Sequence, residues 1–234
     1  MTTTLSRLKS ALRDSQILSR RTLRSLKFDA LRLRARLLHQ WRTVVPAASR
    51  LHLGCGSRHV PGWLNVDVSG WEYDVDLGCG SLPWPSESFD VVVSQQVIEH
   101  LELDSQLLPL LRELRRVLRP GGDIWLSSPD MERVCNAYFC DRGRSLEVDR
   151  QSRWPRFALQ GKPPQHMINV LFHQAGEHLN LFDFEFLAWT LDAAGFVECV
   201  RTSETQFLAR FTDFPRRNDD ASSVYVRARV PQAG

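Results

Sequence analysis

Short apolar runs alternate with glycine- and proline-containing turns from residue 50 onward. Runs of this length and composition are typical of buried strands. They predict strands at Arg50 to Leu53, Trp63 to Val66, residues 71 to 77, Phe89 to Ser94 and Asp123 to Ser128. Leucines at one-face helical spacing predict a helix from Leu103 to Leu118, which the Arg119-Pro120-Gly121-Gly122 turn ends.

The C-terminal half continues the alternation. Met131 to Phe139 reads as a helix, and residues 141 to 180 form an irregular insertion. Phe184, Leu187, Leu191 and Ala194 are spaced as one helical face. Two final strands follow at Phe196 to Thr202 and Ser223 to Val230. Strands that alternate with helices in this way predict an α/β fold with a doubly wound, mostly parallel sheet.

Residues 1 to 45 have a different pattern and are predicted to be a separate helical extension of the domain at 46 to 234. The extension holds eleven basic and two acidic residues, against 19 basic and 25 acidic in the remainder. We predict basic amphipathic helices at 4 to 17 and 20 to 42. The apolar positions of the second helix are Leu23, Leu26, Ala30, Leu33, Leu37 and Trp41.

We consider three roles for this extension, of which the first two are expected alternatives. The first is that its apolar face packs on the domain, as a lid over a ligand cleft, or on the same segment of a second subunit in a homodimer. The second is binding to an anionic membrane surface or an acidic partner. The third, nucleic-acid binding, is not expected because the segment lacks interleaved aromatic residues for base stacking.

Composition limits the class of protein. With 234 residues, 43% of them hydrophobic, the chain suits one domain plus the extension. Its five cysteines form no C-x-x-C pair, which predicts free thiols and no zinc site. Neither a secretory signal nor an apolar run of the ~20 residues that span a bilayer is recognised. We therefore expect a cytoplasmic protein.

The candidate ligand site lies after the first predicted strand. Gly54 and Gly56 let the backbone pass close to a ligand, because glycine has no Cβ and adopts positive φ at little cost. Asp67 ends the next strand, where a carboxylate can accept two hydrogen bonds from a ribose diol. Together they predict a site for a nucleotide-like cofactor.

Five motifs in order carry a resemblance to a known family. They are Leu53-Gly54-Cys55-Gly56, Asn65-Val66-Asp67, Leu82-Pro83-Trp84 with Ser88-Phe89-Asp90-Val91-Val92, Ile98-Glu99-His100-Leu101, and residues 114 to 122. Together they resemble a class I S-adenosylmethionine-dependent methyltransferase of the small bacterial type that modifies metabolites. The resemblance implies a Rossmann-like, seven-stranded sheet with Ser223 to Val230 as its antiparallel strand.

The resemblance also implies roles for individual residues. The cofactor, S-adenosyl-L-methionine, would lie over Gly54, Cys55 and Gly56 with its ribose on Asp67. Asp76 and Leu77 fall where the family contacts adenine. Ser94 and Gln95, followed by Gln96, would border the sulfonium and the methyl group.

The chain also departs from the family pattern. His52 stands where an acidic residue is common, and Arg58 stands where a third glycine is common. Either departure could weaken cofactor binding, so a non-catalytic binding or scaffold protein is the alternative. His59 stands where a dinucleotide-binding fold would have glycine or alanine, which separates the chain from that fold.

The expected function is methyl transfer to a small-molecule acceptor, with oxygen slightly favoured over nitrogen. A hydroxyl acceptor needs a general base, and the candidates are Asp130, His166, His173 and His178. His173 and His178 are five residues apart and do not form an i, i+4 metal pair, so no metal is expected. Transfer or cyclisation of the aminocarboxypropyl group is a further alternative. The arginines of the insertion slightly favour an anionic acceptor.

Overall fold

The computed structural model of the protein describes residues 19–40, 43–69 and 73–232, and within them the chain forms a seven-stranded sheet. The strands are β1 Arg50–Leu53, β2 Leu64–Asp67, β3 Tyr73–Asp74, β4 Phe89–Gln95, β5 Leu118–Pro129, β6 Val197–Thr202 and β7 Ser223–Arg229. Their order is β3-β2-β1-β4-β5-β7-β6, with β7 antiparallel to both of its neighbours. The predicted fold class, with its antiparallel strand near the C-terminus, is confirmed.

Helices cover both faces of this sheet. They are α1 Arg20–Ala35, α2 Leu108–Val117, α3 Met131–Asp141, α4 Arg144–Arg153, α5 His166–His173, α6 Phe184–Ala193 and α7 Glu204–Arg210. A π-helical turn, Arg36–Gln40, extends α1, and another, Leu103–Leu107, precedes α2. Side-chain caps begin several helices: Ser19 accepts from the Thr22 amide at α1, and Asp183 accepts from the Phe186 amide at α6.

Several predicted boundaries are wrong. The helix predicted to reach Leu118 ends at Val117, and the chain enters β5 at once, so β5 is longer than the predicted Asp123 to Ser128. The third strand is confined to Tyr73–Asp74, and residues 70–72 lie outside the described ranges. Helix α7 was not predicted, because its seven residues show too short an apolar pattern.

Two apolar clusters, one on each face of the sheet, pack the surrounding segments against the strands. On one face, the leucines of α2 and α6 pack against the strands; Leu111, Leu187 and Leu191 are fully buried. On the other face, Trp63 and Trp125 pack edge-on against Phe211, which follows α7. The predicted helical faces of α2 and α6 are therefore confirmed. Burial of such side chains stabilises a fold by about 1.5–3 kcal/mol each.

The insertion at 141 to 180 was predicted to be irregular, and this prediction is wrong. It contains α4 and α5, which pack against α3 around a small apolar cluster of their own. Val134, Leu146 and Met167 form the buried centre of that cluster. Its mixed charges hid the helices, because apolar residues are few on α4 and α5 is only eight residues long.

Helix α1 lies on the domain with the opposite face to the one expected. Leu26, Leu33 and Leu37 are 55%, 58% and 71% exposed, while Ala35 on another face is fully buried. The expectation that the apolar stripe packs on this domain is therefore wrong for these residues. Pairing with a second subunit and binding to an anionic membrane stay predictions. The predicted helix at 4 to 17, and Trp41, lie outside the described residues.

Among the described helices, none combines the length and hydropathy that a bilayer crossing requires. The five cysteines are free, as expected.

The contrast between buried and exposed leucines can be tested by unfolding. We expect Leu114→Ala to lower the free energy of unfolding by about 2–5 kcal/mol, because Leu114 is 1% exposed and its loss leaves a cavity. Leu33→Ala should change it by less than about 0.5 kcal/mol, because the side chain is already in water. Urea titrations at low protein concentration measure both. Equal losses in the two variants would contradict the orientation of α1.

Candidate active site

The glycine turn after β1 is built as predicted. Gly54 has φ +65°, and a Cβ at this position would lie only 2.4 Å from Val97 Cγ2. Both the backbone conformation and the space therefore require glycine there. Gly56 has φ +54°, but no described atom lies within 4 Å of where its Cβ would be. Among the residues that the structure describes, this side of Gly56 is therefore open, and the backbone can approach a ligand there.

Cys55 joins this turn to the neighbouring strand. Its amide donates to the Val66 carbonyl over 3.1 Å, which continues the pairing of β1 with β2. Burial, together with the nearby Asp67 carboxylate, raises the pKa of the Cys55 thiol to about 12. The thiol stays protonated at neutral pH, so Cys55 contributes its backbone rather than a reactive sulfur.

Asp67 closes the site from the end of β2. The Gly56 amide donates to Oδ2 over 2.8 Å, and the Val68 amide donates to Oδ1 over 2.6 Å. The structure therefore brings Gly56 and Asp67 together, as the sequence predicted. Each carboxylate oxygen keeps a second lone pair, so the side chain can still accept hydrogen bonds from a diol.

Asp76 lies under the N-terminal helix rather than in an open pocket. Arg32 Nε donates to Oδ1 over 2.9 Å and Arg36 Nε to Oδ2 over 2.6 Å, while the Gly78 amide also reaches Oδ1. The hydrogen bond to Asp76 raises the pKa of Arg36. Leu77, the other predicted adenine contact, is half-buried in the turn that Asp76 begins.

Further ion pairs hold α1 to the same edge of the sheet. Arg34 Nη1 lies 3.0 Å from the buried Asp74 at the end of β3, and Arg24 pairs with Glu177 of the insertion. Sequence reasoning missed the roles of Arg32, Arg34 and Arg36. The signal was the opposite net charge of the extension and the domain, which predicts attraction but not the partners.

The end of β4 carries the residues predicted to border the methyl group. Ser94 Oγ donates to the Leu53 carbonyl over 3.1 Å, which ties β4 to β1 beside the glycine turn. Gln95 is buried, and Gln96 has φ +59° and donates from Nε2 to Ser223 Oγ. Their position at the carboxyl edge is as expected; their contact with a cofactor stays a prediction.

Asp130 begins α3 as its N-cap. Its Oδ1 accepts from the Glu132 and Arg133 amides, and its Oδ2 lies 3.3 Å from Arg133 Nε. The side chain is fully buried, and this burial raises the pKa of the carboxyl. Asp130 thus caps α3 in the fold, and its role as a general base stays a prediction.

His178 is the predicted histidine that the structure brings beside other chemical groups. Its ring lies 4.9 Å from that of His100, and His100 follows the buried Glu99 in the turn after β4. His166 starts α5 and His173 is exposed at its end; neither belongs to this cluster. The motif Ile98-Glu99-His100-Leu101 was visible in the sequence, but its distance from His178 along the chain hid the cluster.

Glu99 is a buried acid in this cluster. Burial raises the pKa of its carboxyl to about 8. Ser128 Oγ donates to Glu99 Oε2 at 3.5 Å, which places the side chain beside the end of β5. The cluster therefore lies at the same carboxyl edge as Ser94 and Gln95.

The two departures from the family pattern have structural explanations. His52 is buried, with Nδ1 3.1 Å from Asn65 Oδ1 and its ring edge-on to Phe214. Arg58 is partly buried and faces the charges of Arg217 and Asp219; burial lowers its pKa. Each residue therefore belongs to packing beneath or beside the turn. Weaker cofactor binding because of these two residues stays a prediction.

Comparison with known proteins agrees with this geometry. Residues 72–126 match the family model described as "Methyltransferase domain". This match covers 55 of the 234 residues, and together with the sheet order and the glycine turn it agrees with the resemblance to class I S-adenosylmethionine-dependent methyltransferases. The Asp67 carboxylate, which can accept further hydrogen bonds, and the Cβ side of Gly56, which no described atom occupies, fit the ribose and backbone contacts expected for S-adenosylmethionine.

Two curated relatives are similar to part of the chain. An uncharacterized methyltransferase of Schizosaccharomyces pombe is 28% identical over 162 residues, 65% of this chain and 52% of its own length. A probable S-adenosylmethionine-dependent methyltransferase of Mycolicibacterium smegmatis is 38% identical over 100 residues, 34% of this chain and 37% of its own length. The chain thus spans about half, or less, of the length of these relatives.

Solved structures give a more distant similarity. A S-adenosylmethionine-dependent methyltransferase from Mesorhizobium loti is 20% identical with a TM-score of 0.40, over 86% of this chain and 96% of that one.

Replacement of Asp67 tests the ribose site. Asp67→Ala removes the acceptor that we predict for the ribose hydroxyls, so the affinity for S-adenosylmethionine should fall by about 1.5–3 kcal/mol. Isothermal titration measures the change. Asp213→Ala, at an exposed aspartate on the loop after α7, is the matched control and should bind as the unmodified chain does. An unchanged affinity in Asp67→Ala would refute the ribose role.

His52 predicts a pH dependence of stability. Burial lowers the pKa of its imidazole to about 4, below the ordinary 6.5 that it regains on unfolding. Its contribution to stability is therefore complete above about pH 6.5 and is lost as the pH falls towards 4. In His52→Gln this part of the acid sensitivity should disappear.

Urea unfolding at several pH values between about 4 and 7.5 measures this dependence. Other groups titrate in the same range, so the informative quantity is the difference in slope between the unmodified protein and the variant. His59→Gln, at an exposed histidine, is the control and should keep the full slope. Identical slopes in all three proteins would show that His52 does not carry the effect.

Proposed function

We propose that the protein transfers the methyl group of S-adenosylmethionine to a small-molecule acceptor, with a hydroxyl group favoured. The observation that carries the proposal is the joint geometry of Gly54, Gly56 and Asp67. A close-approach turn and a diol-binding carboxylate are bonded to each other at the carboxyl ends of adjacent parallel strands. This is the edge where ligands bind in open α/β sheets.

The cofactor supplies a methyl group on a sulfonium, which is a good leaving group. The protein therefore has chiefly to hold the cofactor and the acceptor and to align them. Methyl transfer is an in-line displacement that proceeds when the acceptor is held about 3–3.5 Å from the reacting carbon. Backbone at Gly56 and the carboxylate of Asp67 would fix one reactant. The ends of β4 and β5, with Ser94, Gln95 and Ser128, border the space in which the other would be held.

A hydroxyl acceptor must also lose its proton. Burial lowers the pKa of His178, so its imidazole is neutral at pH 7 and can accept a proton. His178 lies with Glu99 and His100 at the carboxyl edge of the sheet. This cluster, rather than the capped Asp130, supports an oxygen acceptor in our proposal.

The arginines of the insertion give less support for an anionic acceptor than expected. Arg153 pairs with Asp149, and Arg150 lies 4.5 Å from the Trp154 ring. Arg142 lies 5.0 Å from the Tyr138 ring. Because these groups are engaged within the insertion, these contacts do not favour an anionic acceptor.

Cofactor binding followed by product analysis tests the function. We expect S-adenosylmethionine and its demethylated product to bind in the range of about 1 μM to 1 mM that enzymes show for substrates. With methyl-labelled cofactor and a metabolite extract, we expect S-adenosylhomocysteine and a labelled small molecule. Asp67→Ala is the matched variant and should reduce both binding and turnover.

The other outcomes separate the alternatives. If methylthioadenosine were the product, the reaction would be transfer or cyclisation of the aminocarboxypropyl group and not methyl transfer. Binding without turnover in any extract would favour a cofactor-binding scaffold, an alternative to which the engagement of Asp76 by Arg32 and Arg36 also points. No binding at about 1 mM would reject the cofactor assignment.

A further inference from the structure

Glu99, His100 and His178 form a compact group that sequence reasoning did not assemble, and we call it the Glu99 cluster. One ligand atom from each side chain lies within 4.8 Å of the other two. His100 Nε2 is 4.0 Å from Glu99 Oε1, and the two imidazole rings are 4.9 Å apart. Three such atoms surround a point about 3 Å from each, so small side-chain movements reach the about 2.0–2.2 Å of zinc ligands.

Backbone hydrogen bonds fix the two segments that carry the cluster. The Leu179 and Asn180 amides both donate to the Glu99 carbonyl, at 2.7 and 3.2 Å. The Asn180 side chain donates to the Leu101 carbonyl. The turn after β4 and the segment after α5 are thus held together independently of the three ligand side chains.

Both histidines have their tautomer set by a backbone carbonyl. His100 Nδ1 lies 3.0 Å from the Glu177 carbonyl oxygen, and His178 Nδ1 lies 2.7 Å from that of Leu171. A carbonyl only accepts, so each Nδ1 carries the hydrogen. In the neutral rings, each Nε2 then holds a free lone pair. In metal-binding histidines, the ring nitrogen that does not bind the metal usually donates its hydrogen to a carbonyl or carboxylate, which fixes the orientation of the ring.

Glu99 supplies the third donor, a carboxyl group that becomes anionic when an ion displaces its proton. Its side chain is buried; Ser128 Oγ donates to Oε2 over 3.5 Å, and His100 Nε2 lies 4.0 Å from Oε1. Buried carboxyl groups are normally paired, protonated or bound to a metal. A cation between Glu99 and the two Nε2 atoms would satisfy the carboxylate and both lone pairs together.

We propose that Glu99, His100 and His178 bind one divalent transition-metal ion, zinc by preference. Two imidazoles and one carboxylate are a donor set that suits zinc and leaves a coordination position open for water or a ligand. His100 and His178 are partly exposed, so the ion can enter from solvent. The expectation of no metal rested on the spacing of His173 and His178, whereas His178 has its partner in a distant segment.

The position of the cluster also connects it with the proposed function. Ser128, at the end of β5, contacts Glu99. An ion there would face the space assigned above to the acceptor and could hold its oxygen. A bound ion would occupy the His178 Nε2 lone pair, so the ion, and not the free imidazole, would then promote loss of the hydroxyl proton. This connection depends on the proposed function; binding of the ion does not.

Metal binding is measured on the full chain, free of purification tags and treated with chelator, without cofactor or acceptor. We expect one zinc per chain by titration and elemental analysis. His178→Ala should weaken binding by more than the about 10- to 100-fold that loss of an outer-shell partner causes, because a direct ligand is removed. His173→Ala, five residues away and outside the cluster, is the matched control and should bind as the unmodified protein does.

Two further measurements do not depend on a variant that folds. Cobalt(II) in place of zinc should give the visible absorption of a nitrogen- and oxygen-bound ion, and an anomalous difference map at the zinc edge should place the ion among the three side chains. The proposal is overturned if the unmodified chain binds no stoichiometric zinc, if the ion lies elsewhere, or if His173→Ala lowers affinity as much as His178→Ala. None of these results would exclude methyl transfer; a bound ion would exclude only the free His178 imidazole as the proton acceptor.

Discussion

The close approach of the turn after β1 to the segment after β4 is the constraint on which the carboxyl edge of the sheet depends. Gly54 has a hydrogen where any other residue would place a carbon 2.4 Å from Val97. Because the two segments can meet, Ser94 reaches the Leu53 carbonyl and Asp67 reaches the Gly56 amide. A side chain at this single position would separate the strand ends that carry the predicted cofactor contacts.

Features that depend on residues close together in the chain were predictable from the sequence. The glycine turn, the carboxylate at the end of β2 and the leucine face of α2 each depend on local spacing. Their positions relative to one another then follow from the parallel sheet, in which consecutive strands end at a shared edge. Gly56 and Asp67 are eleven residues apart, and this short separation is why their contact could be expected.

Features that depend on distant pairing were not predictable in the same way. His178 meets His100 across 78 residues of chain, and Arg36 meets Asp76 across 40. The periodicity of hydrophobic residues does not indicate contacts between segments so far apart in the chain. The orientation of α1 was missed for a different reason. Hydrophobic spacing identified the helix, but three buried or partly buried carboxylate contacts, rather than the leucines, determine which face meets the domain.

The hydrogen bonds from Arg32 and Arg36 to Asp76 would link the N-terminal helix thermodynamically to the adenine contact that the family resemblance implies for Asp76. Both depend on one buried carboxylate, and its two oxygens already accept from the two guanidinium groups. Linkage is reciprocal. If detachment of the helix changes the affinity for the cofactor by some factor, then binding of the cofactor changes the equilibrium constant for detachment by the same factor. A surface that binds the exposed leucines of α1 would therefore act on the occupancy of that position only to the extent that it binds the detached helix more tightly than the attached one.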